Sequence, residues 1–191
     1  DIKGRGAQGN ILTKYPVKKV VQKEVGKSTL GATRIWMDEV SGNLNKDERG
    51  LLLGAFDTGD LILVITKDGS YMLTDFELTN RYNPKDILYI LKFKSDAVIS
   101  AVYYDGEKGW TMVKRFIIET TTVNQKFSFI TEHKNSQLYF VSLAQEINIR
   151  YTCKEKGKKE QYEVPLHQFI DVKGWKALGN KLWNDKVENV H

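Results

Sequence analysis

Two stretches of this sequence gather the residue types that hold an oxyanion. Residues 3–12 read KGRGAQGNIL and residues 173–182 read KGWKALGNKL. The copies agree at Lys3/Lys173, Gly4/Gly174, Ala7/Ala177, Gly9/Gly179, Asn10/Asn180 and Leu12/Leu182. Lysine and arginine neutralise phosphate charge, and glycine leaves backbone N–H groups open to phosphate oxygens. In the first region the candidate contacts are Lys3, Gly4, Arg5, Gly6, Gln8, Gly9, Asn10, Lys14, Lys18 and Lys19. In the second they are Lys173, Lys176 and Lys181. Neither copy contains a base-reading constellation, so the expected binding is sequence-tolerant and salt-sensitive.

Other chemistry finds little support. GRGAQG at 4–9 fits G-x-G-x-x-G, but a dinucleotide fingerprint needs a strand before it and a helix after it. Only three residues precede this one, and NILTKYP follows. GKST at 26–29 ends like a P-loop, yet the first glycine of that motif falls on Val21, so a surface turn is the better reading. His133, His167 and His191 stand apart, with no Cys or carboxylate at ligand spacing, which favours packing or surface roles over zinc. Cys153 has no evident base beside it in sequence and reads as a small core residue. No carboxylate pair suggests acid–base catalysis. Trp36, Trp110, Tyr71, Tyr103 and Phe140 lie in strand-like segments, where packing is the default. Trp175 and Trp183 flank the second basic copy, and packing is favoured for them too.

Charge is distributed unevenly along the 191 residues, whose net charge is +5. Residues 1–34 hold eight Lys/Arg against two acids, residues 35–149 hold 12 against 16, and residues 150–191 hold nine against six. The two basic regions are those that carry the repeated phrase, which argues for a polyanionic partner. An acidic middle leaves room for a protein-interaction module as the competing class. No run of 18 apolar residues occurs, so no membrane partner is expected. A single cysteine and no leader pattern suggest a reducing, cytoplasmic setting. The chain opens on Asp1 and reads as a piece of something longer.

The elements that must position the basic phrases are strands. Segments 61–66 (LILVIT), 87–93 (ILYILKF), 97–104 (AVISAVYY), 127–131 (FSFIT), 138–143 (LYFVSL) and 147–153 (INIRYTC) are short and rich in β-branched and aromatic residues. Asp68-Gly69 and Asp105-Gly106 predict hairpin turns, with positive φ supplied by the Asp-Gly pair. Pro16, Pro84 and Pro165 suit strand edges or loops. A short helix is predicted over 175–183. The hairpins repeat at 60 (DLILVITKDG), 96 (DAVISAVYYDG) and 136 (SQLYFVSL), and each is followed by a phenylalanine marker, Phe76, Phe116 or Phe169. Four residues beyond each marker come Asn80, Thr120 and Lys173, so the basic phrase fills one slot of a repeating unit and is degenerate in the others. A fourth, weaker unit spans 34–56. A mostly strand repeat near 40 residues predicts an all-β, propeller-like array of three to four blades of antiparallel strands, occupying 1–191 as one domain.

KGRGAQGNILTKYPVKKVVQKE, the D-x-I-L-V-I-T-x-D-G units and the returning KGWKALGN together resemble the C-terminal domain of the A subunit of bacterial type IIA topoisomerases, DNA gyrase and topoisomerase IV. The resemblance covers essentially the whole chain. It implies a β-pinwheel, a disc of propeller-like blades whose basic rim bends or wraps duplex DNA. The gyrase box of that family, Q-R-R-G-G-K-G, falls on 3–9, where Arg5, Gly6 and Gly9 match while Gly4 stands for Arg and Gln8 for Lys. On 173–179 only Gly179 matches, although Lys173 and Lys176 keep the stretch basic. Boxes this degenerate are more similar to topoisomerase IV than to gyrase, which implies bending and presenting DNA rather than chiral wrapping. The resemblance further implies no cofactor in this segment. Mg²⁺ and ATP would serve the parent heterotetramer, in which the catalytic core of the same subunit and a separate ATPase subunit are the implied partners beside double-stranded DNA. The expected location is the bacterial cytoplasm, associated with the nucleoid.

Overall fold

A computed structural model describes residues 31–191. Among these residues fourteen strands follow in chain order: β1 (Thr33–Met37), β2 (Leu44–Asn45), β3 (Leu51–Phe56), β4 (Ile62–Thr66), β5 (Ser70–Thr74), β6 (Ile87–Lys92), β7 (Ile99–Asp105), β8 (Trp110–Ile117), β9 (Lys126–Ser128), β10 (Gln137–Ser142), β11 (Asn148–Glu155), β12 (Lys158–Pro165), β13 (Lys173–Gly174) and β14 (Asn180–Trp183). The one helix among the described residues, α1 (Leu166–Phe169), is a single turn after β12.

The strands form four sheets, and the sheets share one plan. Each has a central pair from one unit: β1 with β2, β4 with β5, β7 with β8, and β11 with β12. The next segment of the same unit flanks the first strand of the pair. This is β3 beside β1, β6 beside β4, and β10 beside β7. In the last sheet the chain end takes that place, with Arg150 and Thr152 exchanging backbone hydrogen bonds with His191 and Glu188. The far edge of the second strand is covered by a segment borrowed from the following unit. Arg81 bridges Asn43 beside β2, β9 pairs with β5, and β13 and β14 pair with β8. Successive blades are therefore laced together by backbone hydrogen bonds. The slots read from sequence at Asn80, Thr120 and Lys173 sit at or just before the start of each borrowed segment.

Packing explains the composition of the strands. β4 is buried on both faces. Ile62 and Val64 join Ile35, Met37 and Phe56 in the core between the first and second blades. Leu63 and Ile65 join Ile99, Ala101, Phe116 and Phe129 between the second and third. A strand wetted on neither side reads as a continuous apolar run, as LILVIT does. β11 alternates instead. Ile149, Tyr151 and Cys153 face the third blade's Val102 and Val113, and the residues between them turn outward. Cys153 is a buried core thiol, as its strand position suggests.

Three expectations are corrected by the fold. The unit expected to open at 136 does not open a hairpin, because 137–142 is β10, which flanks β7, and the last hairpin is β11 with β12. The segment 175–183 is not helical but runs from β13 through a loop into β14. And the turn after Asp105 takes its positive φ at Gly109 (71°), not at Gly106. There the Asp105 carboxylate accepts the N–H groups of Glu107 and Lys108, closing the turn by side-chain chemistry. Gly106 is needed for another reason, since a Cβ there would lie 2.6 Å from the Ser136 nitrogen. Asp68-Gly69 behaves as expected, with Gly69 at φ 79°. The segment 158–165, which carries no strand signal in its composition, is a strand. Its exposed, charged residues, KKEQYE, hide the pairing with β11 that forms it.

Candidate nucleic-acid interface

The second basic copy lies along the outer edge of β8. Lys173 and Gly174 run parallel to Phe116 and Ile117, and Asn180 to Trp183 run antiparallel to 111–113. The reversal of direction between them creates the loop 175–179. The same reversal occurs one unit earlier, where Val123 bridges Leu73 in parallel and β9 then runs antiparallel to β5, but with a far shorter connection. The basic phrase is thus a loop inserted at the point where a borrowed strand turns back.

Lys173, Lys176 and Lys181 are all exposed on this segment. Residues 172–184 contain three lysines and no acid. None of the three lysines forms an ion pair among the described residues. The Lys181 ammonium lies 4.5 Å from the centre of the Trp110 ring, and that of Lys176 lies 5.3 Å from the centre of Trp175. Such contacts hold a cation in place while leaving its outer face free, at a gain of about 0.5–1 kcal/mol for exposed pairs. Trp110 is 38% exposed, so it belongs to this rim and not to blade packing as its strand position suggests.

Trp175 within the phrase and Trp183 directly after it look inward. Trp175 meets Tyr71 edge-on at 5.6 Å and Phe127 at 5.1 Å, pinning the loop to the second blade. Trp183 packs 5.8 Å from Tyr162 of the fourth. Both therefore serve packing. One glycine of this copy, Gly179, also serves the protein itself. A Cβ on Gly179 would lie 2.3 Å from the Val113 carbonyl oxygen, whereas one on Gly174 would meet only the end of the exposed Glu119 side chain, which can move aside. Gly179→Ala is accordingly expected to lift the loop from β8 and cost about 1–3 kcal/mol, read as a lower urea midpoint. An unchanged midpoint would show that the close approach is not needed.

Lys3, Gly4, Arg5, Gly6, Gln8, Gly9, Asn10, Lys14, Lys18 and Lys19 lie outside the described residues. One cation near the second copy is not evident from sequence. Lys114 of β8 is only 6% exposed, and burial pulls its ammonium down to about 8. A lysine inside TMVKRFII gives no signal of burial, because a strand edge exposed to water would carry the same residue. Among the described residues no group of three or more His, Cys, Asp or Glu could hold a metal, and no helix is long and apolar enough to cross a membrane.

The family model for the topoisomerase C-terminal domain of Bacteroidota matches residues 43–191. The chain belongs to this family. Among solved structures, this topoisomerase domain is similar to one described as the crystal structure of the C-terminal domain of DNA topoisomerase IV, with a TM-score of 0.50 and 14% identity. The match covers 83% of this chain and 58% of that one, so the chain spans little more than half of the related structure. At that identity the likeness concerns the fold, and it agrees with the laced, nearly all-β blades of the topoisomerase domain as a β-pinwheel. Comparison with curated proteins finds no match.

Proposed function

We propose that this domain binds duplex DNA without sequence preference, bends it along the blade edge, and presents it to a topoisomerase IV-like enzyme for ATP-dependent strand passage. The observation that carries this reading is the acid-free segment 172–184, which holds Lys173, Lys176 and Lys181 exposed along one side of β8. Cations spaced along an extended edge can follow a phosphate backbone, and they read no bases. Smooth bending of a 20–30 bp duplex costs on the order of 1–6 kcal/mol, so several such contacts must act together. Lys3, Arg5, Lys14 and their neighbours would supply the remainder.

The degenerate boxes support a bending role over gyrase-type wrapping, since Gly4 and Gln8 replace two of the cations a full box carries. In this reading DNA cleavage, Mg²⁺ and ATP belong to the catalytic core and to the separate ATPase subunit, all acting in the bacterial cytoplasm. The domain alone is catalytically silent. Electrophoretic mobility shift of the whole chain at two salt concentrations tests the reading. Lys173→Ala, Lys176→Ala and Lys181→Ala together should lower the log–log salt slope by about 2–3, near 0.9 per lost contact. An unchanged slope would remove this edge from the DNA path. On closed circular DNA, no handed change in linking number is expected.

A further inference from the structure

Neighbouring cations on β8 are treated very differently by the fold. Arg115 and Lys114 project to opposite faces of the strand, and both are buried. The Arg115 guanidinium donates to Ser100 Oγ at 3.3 Å, to the Ile170 carbonyl at 3.5 Å and to the Gln145 carbonyl at 2.7 Å. Its donors are largely spent inside the protein. The Lys114 ammonium has three donors and gives one, to the Phe129 carbonyl at 3.1 Å. Phe116 lies below it, with the ring centre 5.4 Å away. Among the described residues no carboxylate pairs with it, and its lowered proton affinity has burial as its sole cause. A buried cation without a counter-ion is costly, and folds hold one only where something compensates.

The surroundings show what could. Lys114 lines a cleft of about 320 Å³ between the second and third blades, and the opposite wall is the basic loop itself, with Trp175, Lys176 and the 73% exposed Leu178. No acidic side chain among the described residues lines it. Asp105, whose carboxylate accepts the hydroxyl of the lining residue Thr131, also accepts two backbone N–H groups.

We infer that this cleft is a binding site for a single phosphate oxyanion, held by the buried ammonium of Lys114 and closed over by Lys176. The oxyanion is either a phosphodiester of bound duplex or a free phosphate. Only the first source rests on the DNA-binding reading. The basic loop then does more than offer surface charge, because it walls a pocket that also holds a buried cation with no counter-ion among the described residues.

Titration of the whole chain with inorganic phosphate at constant ionic strength, set by chloride, tests the site. The readouts are the Trp175 indole N–H and the Lys114 ammonium by NMR. Saturating shifts are expected, with affinity reduced about ten-fold or more by Lys114→Met, the value of a charge-assisted hydrogen bond. Lys176→Glu, an exposed change that leaves the core intact, should weaken binding several-fold. A duplex arm separates the sources. If phosphate competes with a short duplex and Lys114→Met weakens both, the ligand is a DNA phosphodiester. If the duplex neither competes nor perturbs the two signals, the ligand is free phosphate. Linear, non-saturating shifts with phosphate, and duplex binding that leaves both signals unmoved, would overturn the site. That result leaves the salt-slope test of DNA binding untouched.

Discussion

Phe116→Ala is expected to cost about 3–5 kcal/mol, the range for removing a large aromatic from a packed core. Phe116 is fully buried, faces Phe129 at 5.2 Å, and sits in the cluster where the second and third blades meet. It is also the residue against which Lys173 pairs, so the core and the basic phrase share an anchor. Loss of the ring should loosen the inter-blade core and the start of β13 together. Urea denaturation gives the stability change, and the salt dependence of DNA binding by the variant reports the second effect. A loss under about 1 kcal/mol would mean that the blades do not depend on this core.

Lys114→Met is expected to raise stability at neutral pH by about 1–2 kcal/mol, because it replaces a buried cation that has no counter-ion among the described residues with an apolar side chain of similar length. The Phe129 carbonyl loses a donor, which offsets part of the gain. The effect depends on pH in a definite direction. Burial lowers the Lys114 ammonium from 10.5 to about 8 in the folded protein. Between those two values the unfolded chain binds more protons than the folded one, so the wild type gains stability as pH rises. Below pH 8 both states are protonated and the full penalty is present. The advantage of the variant should therefore be largest below pH 8 and fade as pH approaches 10.5. Tyr103, on the same face of β7 and β8, is pushed up by burial and is common to both proteins, so it cancels from the difference between their curves. Denaturation midpoints at successive pH values read this directly. Two curves offset by a constant amount would show that Lys114 is not titrating in the core. Phosphate added at pH 7 should shrink the difference by stabilising only the wild type.

The repeat and its hydrophobic patterning are legible in the residues alone. LILVIT and AVISAVYY mark strands buried on two faces, while the alternation in INIRYTC marks a strand with one wet side. Asp-Gly pairs locate the turns, although at Asp105 the left-handed residue is Gly109. The phase of the phrase within the repeat is legible as well, because phase is a property of spacing. These signals are local: each depends on a side chain and its neighbours along the chain.

The amino-acid sequence by itself determined an all-β, repeating, basic-edged chain with two copies of one anion-suited phrase. Only the tertiary structure decided which blade each strand joins. The lacing of β9, β13 and β14 onto the preceding unit is made by backbone hydrogen bonds, which are the same for every residue type and leave no mark on composition. That lacing turned the helix expected at 175–183 into a strand, a loop and a strand. It gave Gly179 a packing duty against β8. It also buried Lys114 beneath a loop some sixty residues further along the chain, where a cation with no counter-ion among the described residues acquires a meaning that its place in the sequence could not convey.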